Sequence, residues 1–147
     1  MSVVEKRKKN LWVPVVTGLI LKEHQVLMGC RPENKNFAGK WEFPGGKIEP
    51  DESPEEALSR ELREEIDIEI LKPQLLFANT HNYGDMSVLL IFYKILYWKG
   101  SPKSKYHTQL EWVPLELIHK YDQPEANLKF LSQILRYLKN ESDTHSI

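Results

Sequence analysis

Segment 53–66 constrains the fold most, because it carries its own helix boundaries. Ser53 can cap the helix N-terminus, Pro54 suits the first helical position, and Glu56 completes a capping box. These signals fix the helical register. At 100° per residue the apolar residues then share one arc of the helix: Leu58, Leu62 and Ile66. We predict a helix whose apolar stripe packs on the body of the protein.

Three glutamates share the neighbouring arc of this helix, Glu61, Glu64 and Glu65. Carboxylates at these spacings repel one another on an isolated helix, whereas Mg²⁺ accepts carboxylate oxygens together with water and phosphate. Just upstream, Gly45 and Gly46 would let the backbone approach a ligand closely. The pattern therefore indicates a platform for metal and phosphate at the edge of a cleft.

The alternative is a solvated helix face held by ion pairs. Arg60 follows Glu56 by four residues and precedes Glu64 by four, so its guanidinium could pair with either carboxylate. The sequence lacks a P-loop, a His-Glu-x-x-His pattern and a Gly-x-Ser-x-Gly pattern. Metal-assisted phosphate chemistry and an ion-paired surface both stay open from these residues alone.

The rest of the chain predicts strands and a second helix. Runs of β-branched, aliphatic or aromatic residues predict strands at 13–21, 26–30, 68–79 (interrupted at Pro73), 87–98 and 110–113. The first two should form a hairpin, and the strand at 87–98 should be central. Gly18 within the first strand suggests a bulge or a close backbone approach. Residues 31–47 are rich in proline and glycine, which predicts a long loop.

A final helix is expected to start near Pro124 or Glu125. Its apolar stripe would consist of Leu128, Leu131, Ile134, Leu135 and Leu138. Strands, a helix, more strands and a last helix predict an α+β or α/β layered domain. We expect a flexible basic arm at 1–10, a single domain over 11–139 and a frayed polar tail at 140–147.

Composition excludes several classes of protein. The length of 147 residues suits one domain, and a net charge of −1 argues against a module that binds duplexes through their backbones. Cys30 is the only cysteine, so no intramolecular disulfide can form, and the chain suits a reducing cytoplasm. Apolar runs fall short of the ~20 residues of a membrane span. The sequence does not indicate an oligomeric state.

The spacing of Gly46, Glu52 and residues 60–68 resembles the Nudix box. Its pattern is glycine, five residues, glutamate, seven residues, then Arg-Glu-apolar-x-Glu-Glu-x-Gly-apolar, and eight of nine specified positions agree. Asp67 stands where the family has glycine. Because a helix often ends there on a left-handed residue, we expect a cost of about 1 kcal/mol.

Further segments, 41–49 and 124–127 with Arg31, resemble the MutT branch, the 8-oxo-dGTP diphosphatases. The resemblance implies an α/β/α sandwich with a mixed sheet and a loop–helix–loop metal site. It also implies that Glu61, Glu64, Glu65 and the Gly45 carbonyl bind Mg²⁺, with Mn²⁺ as the alternative. Arg31 would bind phosphate, and Phe43 and Asn127 would contact a purine.

The full predicted substrate-binding set is Arg31, Glu42, Phe43, Gly46, Tyr83 and Asn127. The catalytic set is Glu64, Glu61, Glu52 and Glu111, with Arg60 as structural support. Glu52 would be structural or an auxiliary acid–base group. The branch also uses a loop glutamate; near the equivalent place this chain has Tyr106 and His107, and Glu111 follows a few residues later.

The expected reaction is attack of water on a phosphorus of a nucleoside triphosphate, giving a nucleoside monophosphate and pyrophosphate. Oxidised purine nucleotides such as 8-oxo-dGTP are the expected substrates, and Glu64 or Glu111 would accept the proton. The Asn127 amide can donate and accept on a purine edge, but asparagine is also a favoured helix N-cap. Tyr83 and His81 can stack on a base or serve only as strand and loop residues.

Two alternatives remain at this point. An RNA 5′-triphosphate pyrophosphohydrolase would use the same chemistry, and the basic arm with Tyr83, Trp98 and Tyr106 is compatible with it, because exposed bases stack on aromatic rings. A non-catalytic nucleotide-binding module is the second alternative. The intact set of glutamates argues against it, because binding alone needs fewer carboxylates.

Overall fold

The computed structural model describes residues 11–142, and the side chains of residues 11–139. The elements in chain order are β1 (Leu11–Lys22), β2 (Gln25–Cys30), β3 (Trp41–Glu42), β4 (Gly45–Lys47), α1 (Pro54–Ile66), β5 (Glu69–Leu71), β6 (Gln74–Asn82), β7 (Met86–Ile95), β8 (Tyr97–Lys99), β9 (Gln109–Pro114), a 3₁₀ helix (Leu115–Lys120) and α2 (Glu125–Ser142). The predicted arm lies outside the described residues. Helix α2 takes in the first residues of the predicted tail, and residues 143–147 also lie outside the description.

One mixed sheet organises the fold, with the strand order β3-β2-β1-β7-β6. Strands β1 and β7 run parallel, and their register extends from the pair Leu11–Met86 to the pair Ile20–Ile95. Strand β2 pairs antiparallel with β1, which confirms the predicted hairpin. Strand β4 also pairs antiparallel with β1, and β9 with β2. Strand β7 lies between β1 and β6, so its predicted central position is correct.

Alternate residues of the central strands face two separate cores. On one face Val16, Ile20 and Tyr93 pack with helix α1. On the other face Leu19 and Phe92 pack with residues of α2. A helix therefore covers each face of the sheet, which confirms the predicted α/β/α sandwich. In residues 11–142, neither helix is long and apolar enough to cross a membrane.

Two predicted boundaries are wrong. Segment 31–47 is not a continuous loop, because it contains the short strands β3 and β4. The glycines of β4 fit a strand since another backbone approaches closely there. The predicted strand at 87–98 divides at Leu96: β7 stays in the main sheet, whereas β8 pairs with β5 in a separate two-stranded sheet. A continuous apolar run does not show where a chain changes sheets.

Helix α2 buries most of the predicted stripe: Leu131, Ile134 and Leu138 are buried, and Leu135 is partly buried against the same core. Leu128 is 48% exposed, so its place in the apolar stripe is wrong. The buried arc centres on positions four residues apart, Ala126, Phe130, Ile134 and Leu138. Gly18 in β1 is a site of close approach, as predicted: a Cβ there would lie 3.1 Å from the Leu62 side chain of α1.

Candidate active site

Helix α1 begins as its sequence predicts. The Ser53 hydroxyl accepts a hydrogen bond from the Glu56 amide at 3.1 Å, and the Glu56 carboxylate accepts one from the Ser53 amide at 2.8 Å. Of the two carboxylates predicted as possible partners of Arg60, Glu56 is used in this capping box and Glu64 pairs with Arg60. Leu58 and Leu62 are fully buried against β1, so the glutamate arc faces the adjoining cleft.

The glycines of β4 permit the close contact between this strand and α1. A Cβ on Gly46 would collide with the Glu61 carboxylate, and a Cβ on Gly45 would collide with the carbonyl oxygen of Val16. The Gly45 amide donates a hydrogen bond to the Glu65 carboxylate at 3.2 Å. A side chain at Gly45 would therefore push β4 away from β1, whereas one at Gly46 would displace the Glu61 carboxylate from its present position.

Arg60 ties the loop before α1 to the helix. Its guanidinium donates to both carboxylate oxygens of Glu52, at 2.6 and 3.0 Å, and to the Lys47 carbonyl at 3.0 Å. The same group donates to Glu61 at 2.8 Å and to Glu64 at 3.1 Å. The Arg60 hydrogen bonds, followed by the Glu49 amide, lower the pKa of Glu52 to about 2. Glu52 is thus a fully paired carboxylate that anchors the loop.

Negative charge is unfavourable on two of the remaining carboxylates of the cleft, Glu61 and Glu65. Burial, followed by the nearby charges of Glu42 and Glu61, raises the pKa of Glu65 to about 9. Burial also raises the pKa of Glu61, although Arg60 opposes the shift. Glu64 has the most exposed carboxylate of the three, with 60% of its side chain accessible. A cation placed among these groups would offset the repulsion.

The donor set fits a hard divalent cation in its chemistry. Every side-chain donor of Glu61, Glu64 and Glu65 is an oxygen, and the Gly45 backbone lies against Glu65. Mg²⁺ and Mn²⁺ take such ligands. Across residues 11–139, no three His, Cys, Asp or Glu side chains already enclose one point, and Arg60 bridges Glu61 and Glu64. Enclosing an ion would therefore require these carboxylates to rotate.

Two adjoining pockets meet at this site. The acidic cleft, of about 560 Å³, is lined by the three glutamates, Arg60, Lys105 and Tyr106 among others. The apolar pocket, of about 270 Å³, is lined by Phe43, Tyr83 and Asn127 with aliphatic residues of β1 and β7. Both pockets share Arg31, Gly45, Gly46 and Lys47. A ligand with an apolar end and an anionic end could therefore span them.

The predicted substrate-binding residues line the apolar pocket, and the set is Arg31, Glu42, Phe43, Gly46, Tyr83 and Asn127. Asn127 is the third residue of α2, so its alternative role as the helix N-cap is wrong. Tyr83 makes an edge contact with the buried His81 at 4.5 Å between ring centroids. Burial raises the pKa of the Tyr83 hydroxyl. His81 is absent from the pocket lining and supports Tyr83 from behind.

Glu111 is not brought to the cleft. Its side chain projects from β9 and accepts a hydrogen bond from the Tyr121 hydroxyl at 2.7 Å, and it lines neither pocket. Its predicted catalytic role therefore has no geometric support. Tyr106 does line the acidic cleft, where burial raises the pKa of its hydroxyl. The neighbouring His107 points inward and contacts Glu42.

Sequence reasoning missed several residues of the two pockets. Asn36, Phe37 and Met86 line the apolar pocket, and Lys47 lines both pockets. Phe37 is 45% exposed and lies 6.1 Å from the Tyr83 ring, between centroids. An exposed aromatic residue within a loop rich in glycine and proline was the available signal for Phe37. Lys105 and Met86 gave no comparable signal.

Comparisons with known proteins identify the family of this chain. The NUDIX domain family matches residues 11–134. A relative from Haemophilus influenzae, named 8-oxo-dGTP diphosphatase, is 33% identical over 129 residues, which cover 87% of this chain and 95% of that protein. A relative from Escherichia coli, named CTP pyrophosphohydrolase, is 31% identical over 123 residues, which cover 84% of this chain and 91% of that protein.

Solved structures give the same result at the level of the fold. The solution structure of the Escherichia coli ORF135 protein superposes with a TM-score of 0.78 at 30% identity, covering 86% of this chain and 91% of that one. The crystal structure of MutT protein from Methanosarcina mazei superposes with a TM-score of 0.75 at 29% identity, covering 90% and 96% respectively. The similarity spans nearly the whole described chain.

Proposed function

Because this chain belongs to the NUDIX domain family, as a MutT-like hydrolase that acts on phosphoric anhydride bonds, we propose that it cleaves purine nucleoside triphosphates to the monophosphate and pyrophosphate. Oxidised purines such as 8-oxo-dGTP are the proposed substrates. In the cell this reaction would remove damaged nucleotides from the cytoplasmic pool before they enter DNA.

The observation that carries this proposal is the shared wall of the two pockets. Arg31 and Gly46 line both the apolar pocket and the acidic cleft. A nucleoside triphosphate has a flat, largely apolar base and a polyanionic chain, so its two ends match the two pockets. The guanidinium of Arg31 at the junction suits the phosphates, which arginine can bind through two parallel hydrogen bonds.

Glu61, Glu64, Glu65 and the Gly45 carbonyl would hold the divalent cation. When bound, Mg²⁺ or Mn²⁺ would neutralise phosphate charge and lower the pKa of a bound water. The Arg60–Glu52 pair keeps the loop and helix in register, so that the carboxylates stay on one side of the cleft. We assign Glu52 to this structural role rather than to proton transfer, since both its oxygens are occupied.

Glu64 is the proposed general base. Its carboxylate is the most exposed of the three, and Arg60 holds it at the cleft. In the proposed step, the oxygen of water forms a bond to phosphorus while Glu64 accepts the proton. The bond from phosphorus to the bridging oxygen breaks, and pyrophosphate carries away that bond's electron pair. Positioning and charge stabilisation supply most of the rate increase in such transfers.

Asn127 is the proposed contact for the base. Its side-chain amide offers both a donor and an acceptor, and 8-oxoguanine presents a ring N–H and a carbonyl that unoxidised guanine lacks on that edge. Phe43 is 4% exposed and forms part of the apolar wall, together with Tyr83. These three contacts would set the choice of base without taking part in the bond cleavage.

A substrate panel tests the proposal. The wild-type protein is incubated with 8-oxo-dGTP, dGTP, CTP and 5′-triphosphate RNA, in Mg²⁺, in Mn²⁺ and in a chelator, and pyrophosphate release is measured. We expect the highest kcat/KM for 8-oxo-dGTP and no release in the chelator. A preference for CTP would overturn the purine assignment, and a preference for RNA would assign the protein to RNA 5′ ends. Turnover that persists in the chelator would contradict the metal assignment.

A further inference from the structure

His107 occupies an enclosed place next to the active site. Its side chain is 0% exposed, and its Nε2 atom lies 3.0 Å from Oε2 of Glu42. Among the residues that the structure describes, Nδ1 of this ring has no hydrogen-bond partner. Because an ionised carboxylate only accepts hydrogen bonds, Nε2 must carry the hydrogen and donate it to Glu42. The single polar contact of this ring is therefore to Glu42, which lines the apolar pocket.

The ring is held in place by backbone on one side and by its own loop on the other. A Cβ on Gly29 of β2 would lie 2.5 Å from the imidazole. No residue larger than glycine therefore fits at position 29 beside the His107 ring. The Ser104 hydroxyl donates a hydrogen bond to the His107 carbonyl, and the Tyr106 ring meets the imidazole edge-on at 4.9 Å between centroids. The direction of the Nε2–H group is thus fixed by packing.

Glu42 connects His107 to Arg31. The second oxygen of Glu42 accepts a hydrogen bond from a terminal nitrogen of Arg31 at 3.0 Å. The Nε atom of Arg31 donates to the Asn36 carbonyl at 2.6 Å. Two successive hydrogen bonds therefore link the buried His107 to the guanidinium that lines both pockets, and a third ties that guanidinium to the Asn36 carbonyl.

This chain of contacts should raise the affinity of Arg31 for an anion. A free arginine side chain samples many rotamers, and ordering it on binding costs conformational entropy. Glu42 can restrain Arg31 only if its own carboxylate does not rotate, and His107 prevents that rotation. A guanidinium ordered before the ligand arrives contributes more to binding than a mobile one.

We propose that His107 is a positioning residue. It orients Glu42, and Glu42 in turn orders the Arg31 guanidinium at the junction of the two pockets before substrate phosphate binds. The identity of the anion rests on the proposed function. The hydrogen-bond chain itself does not, because it is defined within the protein without any substrate.

The experiment compares two substitutions of His107 by amide side chains of different length, glutamine and asparagine. His107→Gln places its amide nitrogen near the position of Nε2 and can still donate to Glu42. His107→Asn places its amide near Nδ1, which has no partner, and leaves Glu42 unrestrained. His119→Asn changes an exposed histidine of the 3₁₀ helix and serves as the matched control. Thermal melting establishes which variants fold, and Gly29→Ala, which displaces the ring, replaces His107→Asn if that variant does not fold.

Two readouts are compared for each variant. The first is the exchange of the Arg31 Nε–H proton with water by NMR, assigned from its loss in Arg31→Lys. The second is the kinetics of pyrophosphate release. For His107→Asn we expect faster Nε–H exchange and a KM raised ~10-fold at nearly unchanged kcat, the size of one lost charge-assisted hydrogen bond. His107→Gln should recover both values, and in Arg31→Lys the His107→Asn change should add nothing further to KM.

The proposal is overturned if folded His107→Asn keeps slow Nε–H exchange, or if the two amides give the same KM. It is also overturned if only kcat changes. Wild-type protein that hydrolyses no nucleotide would instead refute the proposed function, and the exchange measurement alone would then decide whether His107 positions Arg31.

Discussion

The acidic cleft and the apolar pocket share a wall but are built in different ways. The cleft takes Glu61, Glu64 and Glu65 from one helix and its glycines from the strand that precedes that helix. The pocket collects Phe43, Tyr83 and Asn127 from three separate parts of the chain, and Arg31 lines both the pocket and the cleft. Local spacing therefore specifies the carboxylates that we propose act on phosphate. Only the tertiary fold specifies the groups that would meet the base.

The largest effect we expect comes from the cleft. Glu64→Gln removes the proposed general base while keeping the side-chain volume, so kcat should fall at least ~10²-fold. The loss should be equal for all substrates, because no base contacts change. Steady-state kinetics on a folded variant provide the check, and Glu55→Gln, an exposed glutamate on the same helix, is the matched control. A folded Glu64→Gln variant with near-normal turnover would remove Glu64 from the mechanism.

A smaller and selective effect should come from the pocket. Asn127→Ala leaves the polar edge of a bound purine without its partner, so kcat/KM for 8-oxo-dGTP should fall about 10-fold or more. The change in kcat/KM for CTP should be much smaller, because a pyrimidine lacks the imidazole-ring edge of a purine. Competition between the two nucleotides measures the change directly. An equal loss for both nucleotides would indicate a structural role for Asn127 at the start of α2.

The departure at Asp67 should affect stability alone. This residue ends α1 in the left-handed conformation, at φ 58° and ψ 42°, and its amide donates to the Arg63 carbonyl. Asp67→Gly should raise the free energy of unfolding by about 1 kcal/mol, or Tm by ~2–4 °C. The lost Lys105 pair, 3.8 Å long with both side chains about half exposed, should matter little. Thermal melts at neutral pH provide the measurement, and a lower Tm would show that the ion pair outweighs the backbone cost.

The ion pair between Glu52 and Arg60 predicts how the stability of the protein changes at acid pH. Its pKa is lowered from 4.5 to about 2 by Arg60, so the pair stabilises the fold fully above pH ~4.5. That contribution is lost as the pH falls toward 2, because the protonated carboxyl no longer pairs in the same way. The stability gap between wild type and Glu52→Gln should therefore narrow between pH 5 and pH 2. Urea denaturation at several pH values measures the difference in free energy of unfolding between the two proteins. A difference that does not change with pH would show that protonation of Glu52 does not weaken its pairing with Arg60.

The contrast between cleft and pocket explains what sequence could predict. Ser53, Pro54 and Glu56 fix the start of α1, and the register of the glutamates follows from it, so the cleft was largely predictable. Glu111 was misassigned because neighbours along a strand face opposite sides, and nothing local indicates its contact with Tyr121. Phe37, Met86 and the His107–Glu42 contact depend on packing between distant segments, and spacing along the chain carries no information about it.

The central claim is that the cleft sets the reaction and the pocket sets the base. Its most direct test is the ratio of kcat/KM for 8-oxo-dGTP to that for CTP, measured in wild type, Glu64→Gln and Asn127→Ala. The claim predicts that Glu64→Gln lowers both values by the same factor and leaves the ratio unchanged, whereas Asn127→Ala lowers the ratio about 10-fold. A ratio that shifts in Glu64→Gln, or stays constant in Asn127→Ala, would contradict it.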